Sequence, residues 1–368
     1  MIPMADTTLA EPEIEAALRV LRSGQLRQGA ECDRFEKAFA DRVGARHAVT
    51  CANGSAALHL AYAAVFEPGD EILMPSFSFF ATASMALQTG LVPVLCDVDP
   101  RTYLIDLDDA ARRLTPRTRG IVPVHLFGAS CPVDAIESFA AQHDLRIVWD
   151  AAQSMGTRFN GRDIGSFGSC VCYSFYPTKN LFVGEGGMVT SPDPELDRKM
   201  RYLRTHGQTA KYVHTMIGWN YRMTDVEAAI GCAQLERLET MLAQRRENAA
   251  QLTAGLKGLP GLQLPTEPAG SESSWHQYSV VVDEHEMGFG RDALAERLTK
   301  RGVATAVHYP RGIHQQPVIR EQVGEVSLPV TERLTETILA LPVHHGLGEA
   351  EIGLVIRAVH EAVVGHGP

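Results

Sequence analysis

Between Ala48 and Thr190 the chain repeats one alternation: a short apolar run, a stretch with helical spacing, then another apolar run. That repeat is the signature of βαβ units and leaves few folds open. The runs predict strands at 48–51, 71–74, 92–96, 120–124, 146–149, 169–175 and 187–190. Helices are expected between several of them, at 55–65, 81–89 and 132–143. Ile147-Val148-Trp149 is apolar at consecutive positions, as in a strand buried on both faces. An α/β architecture follows, with a mostly parallel sheet between helices.

A helix-rich stretch runs from 193 to about 256, and 258–274 is dense in Gly, Pro and Ser. Such a segment marks a domain boundary or crossing. Beyond it, strands are expected at 278–282 and 303–308, and helices at 291–300 and 349–363. A chain of 368 residues is long enough for a large domain at 1–256, with an N-terminal segment, and a smaller α+β domain at 257–368.

A net charge of -10 argues against a nucleic-acid-coating protein, though a local basic pocket would still admit an anionic small substrate. Seven scattered cysteines with no CxxC pair fit free thiols in a reducing compartment. The start, Met1-Ile-Pro-Met, lacks a basic region and an apolar run, and no apolar stretch is long enough to cross a bilayer. A cytoplasmic location is expected. The histidines at 308, 314, 344 and 345 lack metal-ligand spacing, and no metal is assigned.

The chemistry gathers at strand ends. Arg146-Ile-Val-Trp-Asp150 closes an apolar strand on a carboxylate, at the edge where α/β sheets bind ligands. A helix N-cap explains Asp150 equally well. Lys179 follows Pro177-Thr178, in a turn among small, aromatic and apolar residues, where partial burial would make its amine nucleophilic. A lysine fixed beside a strand-end carboxylate suits pyridoxal phosphate: the amine forms a Schiff base, and the acid keeps the pyridine nitrogen protonated. Gln153 is close enough to serve the ring oxygen, and its bland reading is a surface amide.

Asn53-Gly54-Ser55-Ala56 sits where a strand turns into a helix, which suits a phosphate or is an ordinary cap. Phe79 would stack on a flat ring or join the core, and Ser174 offers a hydroxyl to a phosphate. The basic residues Arg198, Lys199, Arg201, Arg204 and Lys211 read as a solvated helix face or as an anion-steering patch. Cys170 and Cys172 share a strand face and read as core. The Gly184-Glu-Gly-Gly187 cluster matches no nucleotide-fold fingerprint.

Taken in order, these segments resemble the DegT/DnrJ/StrS family of sugar aminotransferases, which have the aspartate-aminotransferase (type I) fold of pyridoxal-phosphate enzymes. The resemblance spans nearly the whole chain. It rests on Asn53-Gly-Ser-Ala-Ala-Leu, Pro75-Ser-Phe-Ser-Phe-Phe-Ala-Thr-Ala, Val124-His-Leu-Phe-Gly, Asp150-Ala-Ala-Gln and Ser174-Phe-Tyr-Pro-Thr-Lys-Asn-Leu. Gly184-Glu-Gly-Gly, Gly218-Trp-Asn-Tyr-Arg-Met and His308-Tyr-Pro complete it. One departure is Asn53-Gly54-Ser55, where the family more often has Ser-Gly-Thr.

The resemblance implies that Lys179 is the Schiff-base lysine and proton shuttle, with Asp150 at the pyridinium nitrogen and Gln153 at the ring hydroxyl. Phe79 would stack on the ring; Gly54, Ser55, Ala56 and Ser174 would hold the phosphate. Asn220 would reach the phosphate of a neighbouring subunit's cofactor, which implies a homodimer with shared sites. His308 and Tyr309 fall where members meet the sugar. A branch of the family that dehydrates sugars has histidine at the lysine position, so Lys179 favours transamination. The implied reaction moves an amino group from glutamate or glutamine to a keto-sugar, nucleotide-activated, in amino-sugar biosynthesis. The alternatives are an inosose, an aminocyclitol precursor or another cyclic ketone as acceptor, another pyridoxal-phosphate reaction, or a regulatory binding protein on the same scaffold.

Overall fold

The computed structural model describes residues 1–365. The apolar runs build β1 (His47–Cys51), β2 (Glu71–Pro75), β3 (Val92–Cys96), β4 (Thr118–Ile121), β5 (Arg146–Asp150), β6 (Cys170–Ser174) and β7 (Gly187–Ser191). They form one seven-stranded sheet in the order β1-β7-β6-β5-β4-β2-β3. Every pair from β3 across to β6 is parallel, whereas β7 runs antiparallel to both β6 and β1.

Side-chain alternation along these strands feeds two cores. Ile147 and Trp149 of β5 and Val171 and Tyr173 of β6 enter one, against Phe35 and Phe39. Val148, Cys170 and Cys172 enter the other, beside Leu60 and Tyr62. The first face is covered by α2 (Ala30–Val43) and the second by α3 (Gly54–Val65). Nearly every residue of α3 is buried, which its apolar sequence allows on all sides. The helix α4 (Ala81–Gln88) follows β2, α5 (Val133–Gln142) precedes β5, and α6 (Pro194–Arg204) follows β7.

The stretch from 193 to 256 is interrupted after α6 by a short hairpin, Gln208–Ala210 with Val213–His214. The 32-residue α7 (Asp225–Leu256) then begins at a capping box of Thr224 and Glu227. Its first half lies in the core of the large sheet, through Ala228 and Leu238. Its second half, through Leu252 and Leu256, packs with Val280, Leu298 and Val355. Those last residues belong to an antiparallel sheet of β8 (Leu262–Gln263), β9 (Tyr278–Val282) and β10 (Ile338–Leu341), with α8 (Arg291–Lys300) and α9 (Glu349–Val364).

The strand expected at 303–308 does not form. That segment makes only single bridges, Val303 to Ile2 and Ala306 to Ala340, the latter on the free edge of β10. The chain also crosses the expected division after residue 256 in both directions. Ile2 joins Val303, Ser271–Glu272 pairs with Arg158–Phe159, and the buried Asp97 carboxylate accepts the Val330 and Thr331 N–H groups at 2.9 and 2.8 Å. Residues 366–368 lie outside the described residues. No helix among the described residues is long and apolar enough to cross a membrane.

Candidate active site

At the carboxyl edge of the sheet, β5 ends on Asp150, and the Ala151 N–H continues the ladder to Cys172 O at 2.8 Å. The carboxylate is only 4% exposed. Its partners are the Thr82 hydroxyl, donating at 2.9 Å, and the Ala152 N–H, donating at 3.1 Å. Among the described residues no cation reaches it within hydrogen-bonding distance. Burial pushes its pKa up, and Ala152, Thr82 and the nearby Lys179 charge draw it part of the way back.

Lys179 is held by a turn, as its neighbours suggest. Its N–H donates to Tyr176 O at 2.8 Å, which places Pro177 at the second turn position, where a fixed φ is favoured. The next residue, Asn180, is buried and donates to Ser274 O at 3.0 Å. The lysine is half-buried. Desolvation pushes the amine down to about 8, against the opposing pull of Asp150.

The two groups face one cleft of about 620 Å³. On one wall, α3 begins directly against the end of β6. A Cβ on Gly54 would lie 2.7 Å from Ser174 Cβ, so only glycine allows this approach. Gly54, Ser55 and Ser174 therefore line the cleft together. Ala56 stands behind them: it is buried, and its N–H is taken by the Asn53 side chain at 2.8 Å. Asn53 is the cap of α3.

Phe79 is 57% exposed, which sets aside its core reading, and its ring lies 6.1 Å from that of Tyr309. The Gln153 amide is fixed by two neighbours. Its Oε1 accepts the Phe127 N–H at 3.1 Å, and its Nε2 donates to Tyr309 Oη at 2.6 Å. Its surface reading fails because it is buried. Burial pushes the Tyr309 phenol up and the His308 imidazole down, the latter helped by Lys179, so both are neutral near pH 7. Asn220 stands apart: it is exposed, outside the cleft, and bridges to Thr205.

Several cleft residues escaped the sequence reading: Thr82, Glu185, His276 and Gln277. Thr82 is explicable in retrospect as a hydroxyl at the second residue of α4, four residues after Ser78, which bonds it at 3.1 Å. His276 and Gln277 follow the Gly/Pro/Ser-rich segment and carry no periodic signal. The basic cluster divides: Arg198 and Lys211 are exposed, as on a solvated face, and two others are not. Arg201 and Arg204 turn inward to the buried Glu36, each at 2.7 Å, while Arg198 pairs with Glu195 and Lys199 donates to Ala64 O.

Residues 7–360 match the profile of the DegT/DnrJ/EryC1/StrS aminotransferase family. A UDP-N-acetyl-3-dehydro-alpha-D-glucosamine 3-aminotransferase of Acidithiobacillus ferrooxidans is 36% identical, over 99% of this chain and 98% of its own. A pleiotropic regulatory protein of Geobacillus stearothermophilus is also 36% identical, over 98% of each chain. Among solved structures, that of S. venezuelae DesV in complex with a ketimine intermediate has a TM-score of 0.93 and 36% identity over 98% of each chain. The chain belongs to the DegT/DnrJ/EryC1/StrS aminotransferase family.

Proposed function

We propose that this family member transfers an amino group from glutamate or glutamine to a keto-sugar, nucleotide-linked, using pyridoxal 5'-phosphate bound in the cleft. The observation that carries the reading is a buried carboxylate without a cation partner and a half-buried, partly neutral lysine opening on the same space. An uncompensated carboxylate in that position is costly unless a positively charged group meets it, and a protonated ring nitrogen is such a group. The donor set therefore fits the cofactor.

When bound, pyridoxal phosphate supplies an aldehyde that takes up an amino group and a ring that accepts electrons. Asp150 would meet the ring nitrogen, and Gln153, with a second Nε2 hydrogen to give, the ring hydroxyl. Phe79 would cover one ring face. Gly54, Ser55 and Ser174 would hold the phosphate, with Ala56 behind them in the same helical turn. Lys179 would carry the proton between donor or acceptor carbon and its own amine, for which a pKa near 8 is well matched. His308 and Tyr309 would meet the sugar. Asn220, exposed on its own subunit, would serve a second subunit's phosphate, so the working unit would be a homodimer.

Within this reading residues 1–256 supply the cofactor site and residues 257–368 the acceptor side. The test is an absorption spectrum of the purified protein with added cofactor, before and after glutamate or glutamine. A visible band that fades with either donor supports the reading. A band that responds to no amino donor would favour a different reaction, and no band at all would remove the cofactor. A regulatory protein on this scaffold would need no donor response.

A further inference from the structure

One wall of the cleft is built from a segment held on all sides. Residues 273–277 run between the Phe127–Gly128 turn, Asn180 and the long helix α7. The Gln277 N–H donates to Phe127 O at 3.2 Å, the Ser274 N–H to Gly128 O at 3.0 Å, and Asn180 to Ser274 O. From α7, Arg246 Nε donates to Ser273 O at 3.1 Å. Arg245, only 2% exposed, donates to Trp275 O at 3.2 Å and His276 O at 3.4 Å.

Arg245 is an unusual expenditure of charge. A buried guanidinium normally meets a carboxylate, yet its hydrogen bonds among the described residues are these two carbonyls alone. The backbone it holds is one that would otherwise relax, because Trp275 sits at φ 45°, which disfavours a residue with a side chain. The product of this arrangement is the placement of His276 and Gln277 on the cleft beside His308.

All three of these side chains are uncharged hydrogen-bonding groups, and His276 Nδ1, Gln277 Oε1 and His308 Nδ1 are buried without a partner. Lys179 is the one cation lining the cleft among the described residues, and its anions, Asp150 and Glu185, come from elsewhere. A neutral wall with unspent donors and acceptors is matched to hydroxyl groups, not to a phosphate or carboxylate.

We infer that His276 and Gln277 recognise the ring hydroxyls of the acceptor, and that Arg245 is the positioning residue that presents them. The inference deepens the function proposed above and rests on it only for the acceptor being a polyhydroxylated ring.

The test uses the holoenzyme and calorimetric titration with a panel of UDP- and dTDP-linked hexoses, beside UDP and dTDP alone. Gln277→Leu removes the hydrogen-bonding groups at similar size; Arg245→Met removes the clamp, and Arg245→Lys restores a donor. The wild type is expected to bind one of the hexose conjugates more tightly than its bare nucleotide. Gln277→Leu and Arg245→Met are each expected to weaken the conjugate about 10-fold, with bare-nucleotide binding, the cofactor band and its response to amino donor unchanged. Arg245→Lys should recover part of the loss. Unchanged conjugate affinity in Gln277→Leu overturns the assignment. So does a wild type that does not distinguish conjugate from nucleotide, or a loss shared equally by the donor response. Failure of the aminotransferase reading has its own sign: a wild-type band that ignores glutamate and glutamine.

Discussion

The chemistry of single residues is set here by which charges are left without partners. Lys179→Ala is expected to lower turnover by about 10³-fold, the scale of a positioned proton carrier, while the circular dichroism spectrum stays native. Asp150→Asn should cost about 10²-fold or more in turnover, as for a lost electrostatic contact to a reacting group. The cofactor-free Asp150→Asn protein should melt no lower than wild type at pH 7, because burial disfavours the charged form of the native carboxyl. The pH dependence of stability has a definite sign. The amine of Lys179 titrates at about 8 in the fold against 10.5 for the ordinary side chain, so between these values the unfolded chain binds a proton that the folded chain has released. Its contribution to the stability of the cofactor-free protein therefore rises from about pH 8 towards 10.5. Thermal melts of Lys179→Met across that window should lack this increment. Asp150 acts oppositely: its raised pKa makes its contribution fall as pH climbs above 3.8.

Elements explain how much of this was legible beforehand. Strands such as β2 and β5 were readable because they are buried on both faces, which writes an apolar run into the sequence, whereas β4, Thr-Arg-Gly-Ile, starts on polar residues and lies two residues before the run that announced it. The strand end carrying Asp150 and the turn carrying Lys179 were readable for the same reason, as polar interruptions of that code. His276 and Gln277 were not, since an irregular segment has no period and its conformation is imposed by α7 and the 127–128 turn. Nor was the inward turn of Arg201 and Arg204, whose partner Glu36 is 165 and 168 positions away. The segment 303–308 had the apolar content of a strand, but it divides its pairing between Ile2 and the edge of β10 and makes one bridge to each. Two variants probe this scale. Arg204→Met would leave Glu36 with Thr50 and the partly exposed Arg201 as its one cation, and should cost about 3–5 kcal/mol in denaturant unfolding. Gly54→Ala would drive α3 from β6 and should cost about 1–3 kcal/mol, together with weaker cofactor retention on dialysis.

For the whole molecule, the position of Asn220 outside its own cleft is the informative fact. If it completes a site in a second subunit, Lys179→Ala and Asn220→Ala chains should complement one another. In a mixed dimer one site keeps both its own lysine and its partner's asparagine. Random exchange of subunits in a two-fold dimer should then return up to about a quarter of wild-type activity, measured after co-refolding, whereas each variant alone stays impaired. The long helix α7 bears on motion. Its two ends are anchored in different cores, and the Ile2, Asp97 and Ser271–Glu272 contacts tie those cores together again. At 1.5 Å per residue it is a strut of about 48 Å, without proline along its length. Hinged closure of one lobe on the other would have to bend that strut, so traffic into the cleft falls to its rim, where Phe79 and Tyr176 stand exposed. X-ray scattering envelopes of the free and ligand-saturated protein should therefore superimpose.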